Sequence, residues 1–527
     1  MSDQGSLHRV RLAELLAALS LGIDLGFGQP MEHVLRQCLI ALRIAERMGL
    51  DSQARTTVYF AALLINVGCH ADAHEQAKWF GDDIAVKAAK YRHGMRARGA
   101  LFTMRMLGAN NAPLHRFRLG LEFMIAGHRE MDITVHMKVA VALAERLGLP
   151  AGVREALEAA YEHWDGRGWP GKVSGEAIPL TSRIAQLAEY VEVANRVGGI
   201  DSVNALCSGL AGSQFDPGLA KLFRENGAAI LAGLDASQTW TAVIDAEPAL
   251  GGASAQAGID AALAAVADFV DLKSPYFLGH SANVAELAAA AGARLGMPAV
   301  DVQALRRAGL VHNFGRLGVS NAIWDKRGPL GVGEWERIRM HPYLTDRMLR
   351  QSPVLTPFGE LAAQHCERMD GSGYPRGSRG ASVPVAARIL AAAVAYRAMG
   401  EPRPHRPPRS PDAAASELRG DVRAGRFDGD AVEAVLAAAG HQSRRGSEQP
   451  AGLTSREVEV LRLLAGGMST KDVAEKLGVT PKTAGNHIEH IYSKIGAKNR
   501  AGAALFAVQR GLFAIGLSAH DAQTDVV

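Results

Sequence analysis

Hydrophobic residues recur at three- and four-residue intervals through most of the chain. The stretches MEHVLRQCLIALRIAERMGL (31–50) and GHSANVAELAAAAGARLGMP (279–298) show this spacing clearly. A repeat of this length places apolar side chains along one face of an α-helix. Alanine is abundant and aromatic residues make up only 6% of the sequence, which also favours helices over sheets. The pattern predicts an all-α protein built from amphipathic helices.

Two stretches without this periodicity divide the 527 residues. Residues 247–258 (EPALGGASAQAG) and 441–450 (HQSRRGSEQP) are rich in small or polar residues and are predicted to be linkers. They separate three predicted domains, at residues 1–246, 259–440 and 451–515. A chain of this length is too long for a single core, so about three domains are expected.

The first two predicted domains are copies of one another. Sixteen residues separate His33 from Gly49, and sixteen separate His280 from Gly296. Later in each copy, the run DGRGWP is matched by DGSGYP in the same register. The first copy carries about 42 additional residues in its middle. An internal duplication is therefore predicted, and we call the copies the first repeat and the second repeat.

Four histidines and one loop motif carry the chemistry of the second repeat. They are His280, His312 in HNFGR, His341 in MHP, and His365 in QHCERMDGSGYP. With these motifs, residues 275–400 resemble an HD-GYP domain, an all-helical metal-dependent phosphohydrolase module whose members often cleave cyclic di-GMP. The first repeat resembles the same fold more weakly. The resemblance implies two tandem HD-type helical bundles.

The second repeat departs from the HD-GYP pattern at four positions. The family's His-Asp doublet is His312-Asn313 here, its lysine is Arg316, the second histidine of its His-His pair is Cys366, and its late aspartate falls on Val394. Asparagine brings no charge, and valine cannot bind a metal. A dinuclear site that generates hydroxide at neutral pH needs those carboxylates. The loss of dinuclear binding and of catalysis is therefore the expectation.

One metal ion remains compatible with the second repeat. Its four histidines form a candidate all-imidazole site for a single transition-metal ion such as iron, zinc or manganese, to which Cys366 could add a thiolate. The candidate ligands are His280, His312, His341 and His365. The alternative is a relic of the fold in which the histidines are buried and neutral. Both interpretations stay open from the sequence.

The first repeat has lost more of the pattern. Its counterpart of the His-Asp doublet is Ile65-Asn66. It keeps His33, His136 and Glu189, which could form a three-ligand site. Because so few of the family's residues have counterparts here, a structural role is favoured for the first repeat, and no catalysis is expected in it.

The C-terminal segment divides into four short helices. A glycine-containing turn between KDVAEKLG and the helix that starts at Pro481 predicts a helix-turn-helix. The runs LTSRE, VAEKLGVTPKT, NHIEHIYSKIG and KNR make residues 453–512 resemble the LuxR-type DNA-binding domain. That resemblance implies a four-helix domain whose recognition helix, 481–495, enters the major groove of double-stranded DNA.

Candidate DNA contacts follow from this resemblance. Lys482, Thr483, Asn486 and His487 would face the bases, and Lys494 would contact phosphate. The segment carries nine basic residues against five acidic ones, which favours phosphate neutralisation and a salt-dependent affinity. LuxR-type domains generally act as dimers on near-palindromic sites, so a homodimer is expected.

Weaker signals bear on the cellular setting. Cys38, Cys69, Cys207 and Cys366 are scattered without a CxxC pair, so reduced thiols are expected. No apolar run approaches the roughly 20 residues that span a bilayer, and the N-terminus lacks the apolar core of a signal peptide. The formal net charge of +4 is mild. A cytoplasmic protein without a membrane partner is expected.

Three functions are compatible with this organisation. The favoured one is a DNA-binding transcriptional regulator whose degenerate repeats act as sensory and dimerisation modules for a small-molecule effector, a metal or a protein partner. The alternative is a metal-dependent phosphohydrolase or phosphodiesterase that acts on a cyclic-dinucleotide-like substrate and is coupled to the DNA-binding domain. The third is a scaffold whose repeats only dimerise that domain. The lost carboxylates argue against the alternative, and the DGSGYP loop with its histidines argues against the scaffold.

Overall fold

The protein is all-α and consists of two compact units, Met1–His441 and Gln442–Val527. The computed structural model describes residues 11–93, 105–108, 113–123, 134–234, 238–248, 258–441, 451, 453, 455–497, 499–509 and 512. Among these residues every regular element is an α-helix or a short 3-10 helix, and no sheet forms. The fold class predicted from the hydrophobic period is confirmed.

The helices follow one another in three groups. The described part of the first repeat contains α1 (Leu12–Gly26), α2 (His33–Arg47), α3 (Ser52–Leu64), α4 (Ala73–Phe80), α5 (Asp83–His93), α6 (Pro113–Glu122), α7 (Thr134–Arg146), α8 (Ala151–Glu158), α9 (Leu180–Leu210), α10 (Pro217–Leu231) and α11 (Thr239–Asp245). The second repeat contains α12 (Ile259–Asp271), α13 (His280–Arg294), α14 (Ala299–Val311), α15 (Asn321–Trp324), α16 (Val332–Arg339), α17 (His341–Leu349), α18 (Thr356–Ala362), α19 (Val385–Gly400), α20 (Pro411–Arg423) and α21 (Gly429–Ala438). The C-terminal unit contains α22 (Ser455–Ala465), α23 (Thr470–Leu477), α24 (Pro481–Ile495) and α25 (Arg500–Gln509).

The backbone of the two repeats matches at the positions that the spacing predicted. Helix α2 begins at His33, and α13 begins at His280. Each follows a residue in the left-handed region, Glu32 with φ of 75° and Gly279 with φ of 72°. Glycine adopts this conformation at little cost, whereas a side chain such as that of Glu32 makes it unfavourable. The same entry turn therefore presents a histidine at the start of the same helix in both repeats.

A buried glutamate holds the glycine-rich loop in each repeat. Glu367 accepts hydrogen bonds from the backbone N–H groups of Arg376 (2.8 Å) and Ser378 (2.9 Å). In the first repeat, Glu162 accepts from two backbone N–H groups of its own loop, at 3.0 and 2.8 Å. These carboxylates pair loop N–H groups that no helix satisfies. The DGRGWP and DGSGYP loops thus keep one anchoring scheme.

The two repeats share one hydrophobic core. Helix α1 of the first repeat lies directly on the second repeat, since a Cβ atom at Gly22 would be 2.5 Å from Met348 Cε and 2.7 Å from Leu317 Cδ1. A side chain at position 22 would force the ends of Met348 and Leu317 to move. Residues 249–257 of the first predicted linker and residues 442–450 of the second lie outside the described residues, so those domain boundaries stay predictions.

A buried carboxylate also joins the repeats. Asp83, the first residue of α5, is completely buried and accepts hydrogen bonds from Ser320 Oγ (2.7 Å) and Asn321 N (2.8 Å) of the second repeat. Its other oxygen lies 3.1 Å from Lys87 Nζ and 3.3 Å from Lys273 Nζ. Burial opposes its charge, but the two ammonium groups outweigh burial and lower the pKa of Asp83. The additional segment of the first repeat is therefore tied to the second by paired charges.

The C-terminal unit has its own small core. Ser469 caps α23 by accepting a hydrogen bond from Asp472 N at 3.3 Å, and Gly478 ends that helix in the left-handed region with φ of 64°. Thr480 then caps α24 by accepting from Thr483 N at 3.2 Å. Capping on both sides of a short turn fixes where the two helices stop and start. The predicted helix-turn-helix is confirmed.

Two expectations about the cellular setting have structural counterparts. All four cysteines are buried and form no disulfide, as expected for reduced thiols. None of the described helices combines the length and the apolar character needed to cross a bilayer.

Candidate functional site

The four histidines predicted as ligands come together in the second repeat. His280 begins α13, His312 follows α14, His341 begins α17 and His365 follows α18. All four are buried, with at most 4% of their surface exposed. Their rings form a row, His280–His312–His365–His341, in which neighbouring centroids are 5.4, 5.0 and 5.0 Å apart. Four segments that are distant in sequence thus place their imidazoles in one cluster.

Three of these histidines are oriented in the same way by the backbone. In each, ring Nδ1 donates to the carbonyl oxygen three residues earlier, at 2.6 Å for His312, 2.6 Å for His341 and 2.8 Å for His365. A carbonyl oxygen can only accept, so Nδ1 carries the proton and Nε2 carries a lone pair. Backbone hydrogen bonds of this kind orient the histidines that bind metals in proteins.

Among the described residues, only the His312 lone pair has no partner at all, since the thiol of Cys366 is within hydrogen-bonding reach of His341. His341 Nε2 faces His365 Nε2 at 3.0 Å, and His312 Nε2 is buried without a partner. Burial lowers the pKa of all three rings, that of His365 to about 4, so they are neutral at neutral pH. Two facing lone pairs repel, and a buried acceptor without a donor is costly. A cation among these nitrogens would remove both penalties, so the residues present fit a transition-metal ion.

A cysteine brings sulfur to the same place. The Sγ atom of Cys366 and one ring nitrogen each of His341 and His365 all lie within 4.8 Å of one another. Within the part of the chain that the structure describes, no other group of three or more His, Cys, Asp or Glu side chains is close enough to share an ion. The geometry therefore centres the candidate site on this trio, with His312 next to His365 and His280 at the far end of the row.

His280 differs from the other three because a carboxylate holds its Nδ1. Glu401 Oε2 lies 2.7 Å from that nitrogen, and Arg403 donates to the same carboxylate at 2.8 Å. Glu401 was not predicted from the sequence, because it opens a proline-rich stretch without helical periodicity. The first repeat offers no signal for it either, because there Glu192 pairs with His33 from within helix α9.

Arg316 stands where the HD-GYP pattern has a lysine. Its guanidinium lies 3.1 Å from the ring centroid of Phe277 and 4.0 Å from that of Trp324, and the residue is 6% exposed. Its N–H groups form no hydrogen bond among the described residues, although the charges of Asp271, Asp325 and Glu401 favour its protonated form. Burial, and then the charge of Arg403, lower the pKa of Arg316 to about 9. A buried guanidinium that makes no hydrogen bond, next to the histidine row, suits an anion such as a phosphodiester.

Two positions at which the HD-GYP pattern has a carboxylate hold Asn313 and Val394 in this chain. Asn313 is buried, and its Nδ2 donates to Ser281 Oγ at 3.4 Å. Val394 is partly buried against the hydrophobic core. Neither residue can supply a charged ligand, so the negative charge available to a metal in this repeat is smaller than the family pattern provides.

A buried carboxylate that the sequence did not lead us to expect lies behind Asn313. Asp271 accepts hydrogen bonds from Ser281 N (2.7 Å) and Ser281 Oγ (2.8 Å). Burial raises the pKa of Asp271 to about 7. Nine residues separate it from His280, and nine likewise separate Asp24 from His33, so the duplicated spacing contained the signal.

In the first repeat, Glu189 stands at the position that corresponds to Val394, and its carboxylate binds an ammonium group. Glu189 Oε1 accepts from Lys90 Nζ (2.7 Å), Tyr91 Oη (2.7 Å) and Asn66 Nδ2 (3.1 Å). Lys90 lies on α5, within the additional residues that the second repeat lacks. Burial opposes both charges, but each stabilises the other, so the pKa of Glu189 is lowered and that of Lys90 is raised. Glu189 is therefore committed to a cation that the chain itself supplies.

The other residues retained in the first repeat also have partners within the chain. His33 Nδ1 pairs with Glu192, and His136 Nε2 lies 2.9 Å from Asp72 Oδ2. Among the described residues, His33, His136 and Glu189 do not form a group that could share an ion. The structural role of the first repeat stays a prediction.

In the C-terminal unit, the predicted DNA contacts lie on α24. Lys482, Thr483 and Asn486 are exposed and His487 is half-buried, while the apolar residues of the same helix face the core. Lys494 keeps 37% of its side chain exposed, but its ammonium donates to Glu457 at 2.7 Å. A contact between Lys494 and phosphate would therefore compete with an internal ion pair.

Known proteins share these features. The family model of the HD domain matches residues 127–198 and 264–431, and that of the bacterial regulatory proteins of the luxR family matches residues 451–507. The 3'3'-cGAMP-specific phosphodiesterase 3 of Vibrio cholerae is 30% identical over 402 residues, which cover 75% of this chain and 87% of that protein. A crystal structure of a cyclic GMP-AMP specific phosphodiesterase of V. cholerae has a TM-score of 0.55 and 27% identity, covering 82% of this chain and 98% of that one.

These matches define a class of protein. An HD-type helical bundle, duplicated and followed by a LuxR-type helix-turn-helix, is the organisation expected from the motifs, and the family models confirm both kinds of domain. The chain belongs to the HD-domain family. Its luxR-family domain implies DNA binding, and its similarity to the V. cholerae phosphodiesterase extends over three quarters of its length.

Proposed function

We propose that the second repeat is a metal-dependent phosphodiesterase that cleaves a 3'3'-cyclic dinucleotide, coupled to a unit that binds double-stranded DNA. One observation carries this proposal: backbone carbonyls hold the Nδ1 atoms of His312, His341 and His365, so that His341 Nε2 faces His365 Nε2 at 3.0 Å and His312 Nε2 is buried without a partner. Relatives named as phosphodiesterases of cyclic GMP-AMP support the same activity. They favour it over the purely sensory role that the sequence led us to expect.

Different residues of the second repeat would have different roles in such a reaction. When bound, a transition metal would supply a Lewis acid and a water molecule of lowered pKa. His341 and His365 would hold the ion, in the orientation that their Nδ1 hydrogen bonds impose. Arg316 would bind a phosphodiester oxygen of the substrate through its unoccupied N–H groups. Burial of the histidine row would keep bulk water away and strengthen these electrostatic contacts.

A second function uses the same site without turnover. Asn313 and Val394 remove two carboxylates, so the site would hold less positive charge than a dinuclear hydrolase does. On this alternative, the repeat binds a cyclic dinucleotide as an effector and alters DNA binding without cleaving it. The two functions differ in one measurable quantity, which is turnover of the dinucleotide.

Turnover is expected with the full-length protein and 3'3'-cGAMP in the presence of ferrous iron, zinc or manganese, with a linear dinucleotide as the product. His312→Ala should lower kcat/KM by on the order of 1,000-fold, because a ligand or neighbour of the ion is lost. His405→Ala is the matched control, since His405 is an exposed histidine in the same repeat. Chromatography of the products over time measures both rates.

The same assay separates the two functions. Dinucleotide binding measured by calorimetry, together with no product under any of the three metals, would contradict the phosphodiesterase and support the effector site. If turnover were equal in wild type and His312→Ala, the activity would have to lie outside the histidine row.

DNA recognition by α24 is part of the proposal. Lys482, Thr483, Asn486 and His487 would contact base edges and nearby phosphates in the major groove, and a homodimer would place two such helices on the two halves of a site. Lys494 would contribute to phosphate binding only by leaving Glu457. The exposure of the first three side chains supports this assignment.

Lys482→Ala combined with Asn486→Ala is expected to abolish specific DNA binding while the unit stays folded. Each lost base contact weakens binding by about 1–3 kcal/mol. Fluorescence anisotropy at fixed salt, on a site selected from random DNA, measures the effect, with circular dichroism to check folding. Lys221→Ala, which removes an exposed lysine of the other unit, is the control. Unchanged affinity in the double variant would refute the recognition-helix assignment.

A further inference from the structure

We infer that Cys366 is a thiolate ligand of a single metal ion that His341 and His365 also bind, so that the second repeat is a sulfur–nitrogen centre selective for zinc-like ions over manganese or magnesium. This inference rests on the proposed function and deepens it by assigning the class of metal. The HD-GYP pattern has a histidine at this position, and the sulfur ligand is a property of this chain's own residues.

The spacing of the three donors suits one ion. His341 Nε2 and His365 Nε2 are 3.0 Å apart, and Cys366 Sγ lies within 4.8 Å of the ligand nitrogens. In a tetrahedral site with metal–nitrogen bonds of about 2.0 Å and a metal–sulfur bond of about 2.3 Å, neighbouring donors are roughly 3.3 to 3.6 Å apart. The observed separations are therefore close to those that a shared ion would require. His312, whose ring lies 5.0 Å from that of His365 and whose Nε2 has no partner, would be the nearest further donor.

The DGSGYP loop holds the cysteine in place. The carbonyl oxygen of Cys366 accepts a hydrogen bond from Tyr374 N at 3.2 Å. A Cβ atom at Gly373 would lie 2.6 Å from the same oxygen, so the loop can close over Cys366 only with glycine there. Glu367, the next residue, anchors the loop through two backbone N–H groups. The motif kept by this chain therefore supports the position of the sulfur.

The chemistry of the donor set decides which ions it prefers. Two neutral imidazoles and one thiolate carry a single negative charge and no carboxylate oxygen. Manganese and magnesium prefer oxygen ligands, whereas zinc and cobalt bind thiolate and imidazole well. Asn313 and Val394 remove the carboxylates that would have attracted harder ions. The absence of these two carboxylates argues against a site for two metal ions with oxygen ligands. It is consistent with a site for one ion with nitrogen and sulfur ligands.

Cobalt(II) substitution tests this inference directly. Full-length protein freed of metal under anaerobic conditions should bind one Co²⁺ per chain, with intense visible bands of a tetrahedral site and a sulfur-to-cobalt charge-transfer band in the near ultraviolet. Cys366→Ser should lose that band and bind Co²⁺ more weakly by on the order of 100-fold. Cys207→Ser, which alters a buried cysteine of the first repeat, should keep the band. Wild type should bind Zn²⁺ more tightly than Mn²⁺ by on the order of 100-fold or more.

A second variant keeps the inference testable if Cys366→Ser does not fold. Cys366→His should bind Co²⁺ without the charge-transfer band and should narrow the preference for Zn²⁺ over Mn²⁺. A cobalt spectrum without a sulfur band, identical in wild type and Cys366→Ser, would overturn the inference and leave the histidine site and the phosphodiesterase standing. Absence of cobalt binding would overturn it as well. A sulfur band together with no turnover of 3'3'-cGAMP would support the inference and overturn only the proposed activity.

Discussion

Asp83→Ala is expected to lower the free energy of unfolding by about 3–5 kcal/mol. The substitution leaves the ammonium groups of Lys87 and Lys273 buried without their carboxylate, and both lysines are at most 5% exposed. It also removes the acceptor of Ser320 Oγ and Asn321 N in the second repeat. A buried charge that loses its partner keeps its desolvation penalty, which is why the expected loss is large.

Urea unfolding followed by circular dichroism measures this loss. Asp82→Ala is the matched control, because Asp82 is adjacent and accepts only from Ile84 N (3.0 Å) and Ala85 N (3.2 Å) at the start of α5. Removing such a capping residue costs about 1 kcal/mol. If Asp83→Ala were no more destabilising than this control, the ion pairs between the repeats would not hold the additional segment in place.

Gly315→Ala is the second substitution for which a large effect is expected. A Cβ atom at this position would overlap the carbonyl oxygen of His341 and lie 2.7 Å from Thr345 N. Both are backbone atoms of α17, so no side-chain rotation relieves the clash. We expect a loss of about 3 kcal/mol or more in the free energy of unfolding. Because His341 must move, the affinity of the second repeat for Zn²⁺ should fall as well.

Unfolding and zinc titration of the same samples test both parts of this expectation. Gly333→Ala is the control, since a Cβ atom there meets nothing within 4 Å and the residue lies in the exposed helix α16. Alanine in a helix is favoured over glycine by roughly 0.5–1 kcal/mol, so the control should be slightly more stable than wild type. Wild-type stability in Gly315→Ala would show that the 3-10 helix Phe314–Gly318 can move away from α17 at little cost.

The motifs predicted more of the site than any local hydrophobic pattern did. The motifs of the second repeat and their resemblance to the HD-GYP pattern grouped His280, His312, His341 and His365, and the structure brings their rings into a row. The helix-turn-helix was equally predictable, because caps and glycine turns act over a few residues. Both predictions depend on signals that the chain carries within or between short motifs.

Contacts of the additional segment could not be predicted in this way. Lys90 and Asp83 lie on α5, which has no counterpart in the second repeat, so no shared spacing exposes them. A helical period shows which face of α5 is apolar, but it does not show which distant carboxylate or hydroxyl that helix meets. Glu401 was missed for a related reason, since its partner His280 is 121 residues away.

The cation of the first repeat has a consequence for how the molecule responds to its surroundings. Lys90 is covalently part of the chain, so its positive charge is present in every copy at every ion concentration. An ion in the second repeat would depend instead on supply and on competing ligands outside the protein. One hydrophobic core joins the repeats. The first repeat, whose cation is fixed, therefore packs against the second repeat, whose ion content can vary. When the second repeat gains or loses an ion, only its own charge changes, and the charge of the first repeat beside it stays the same.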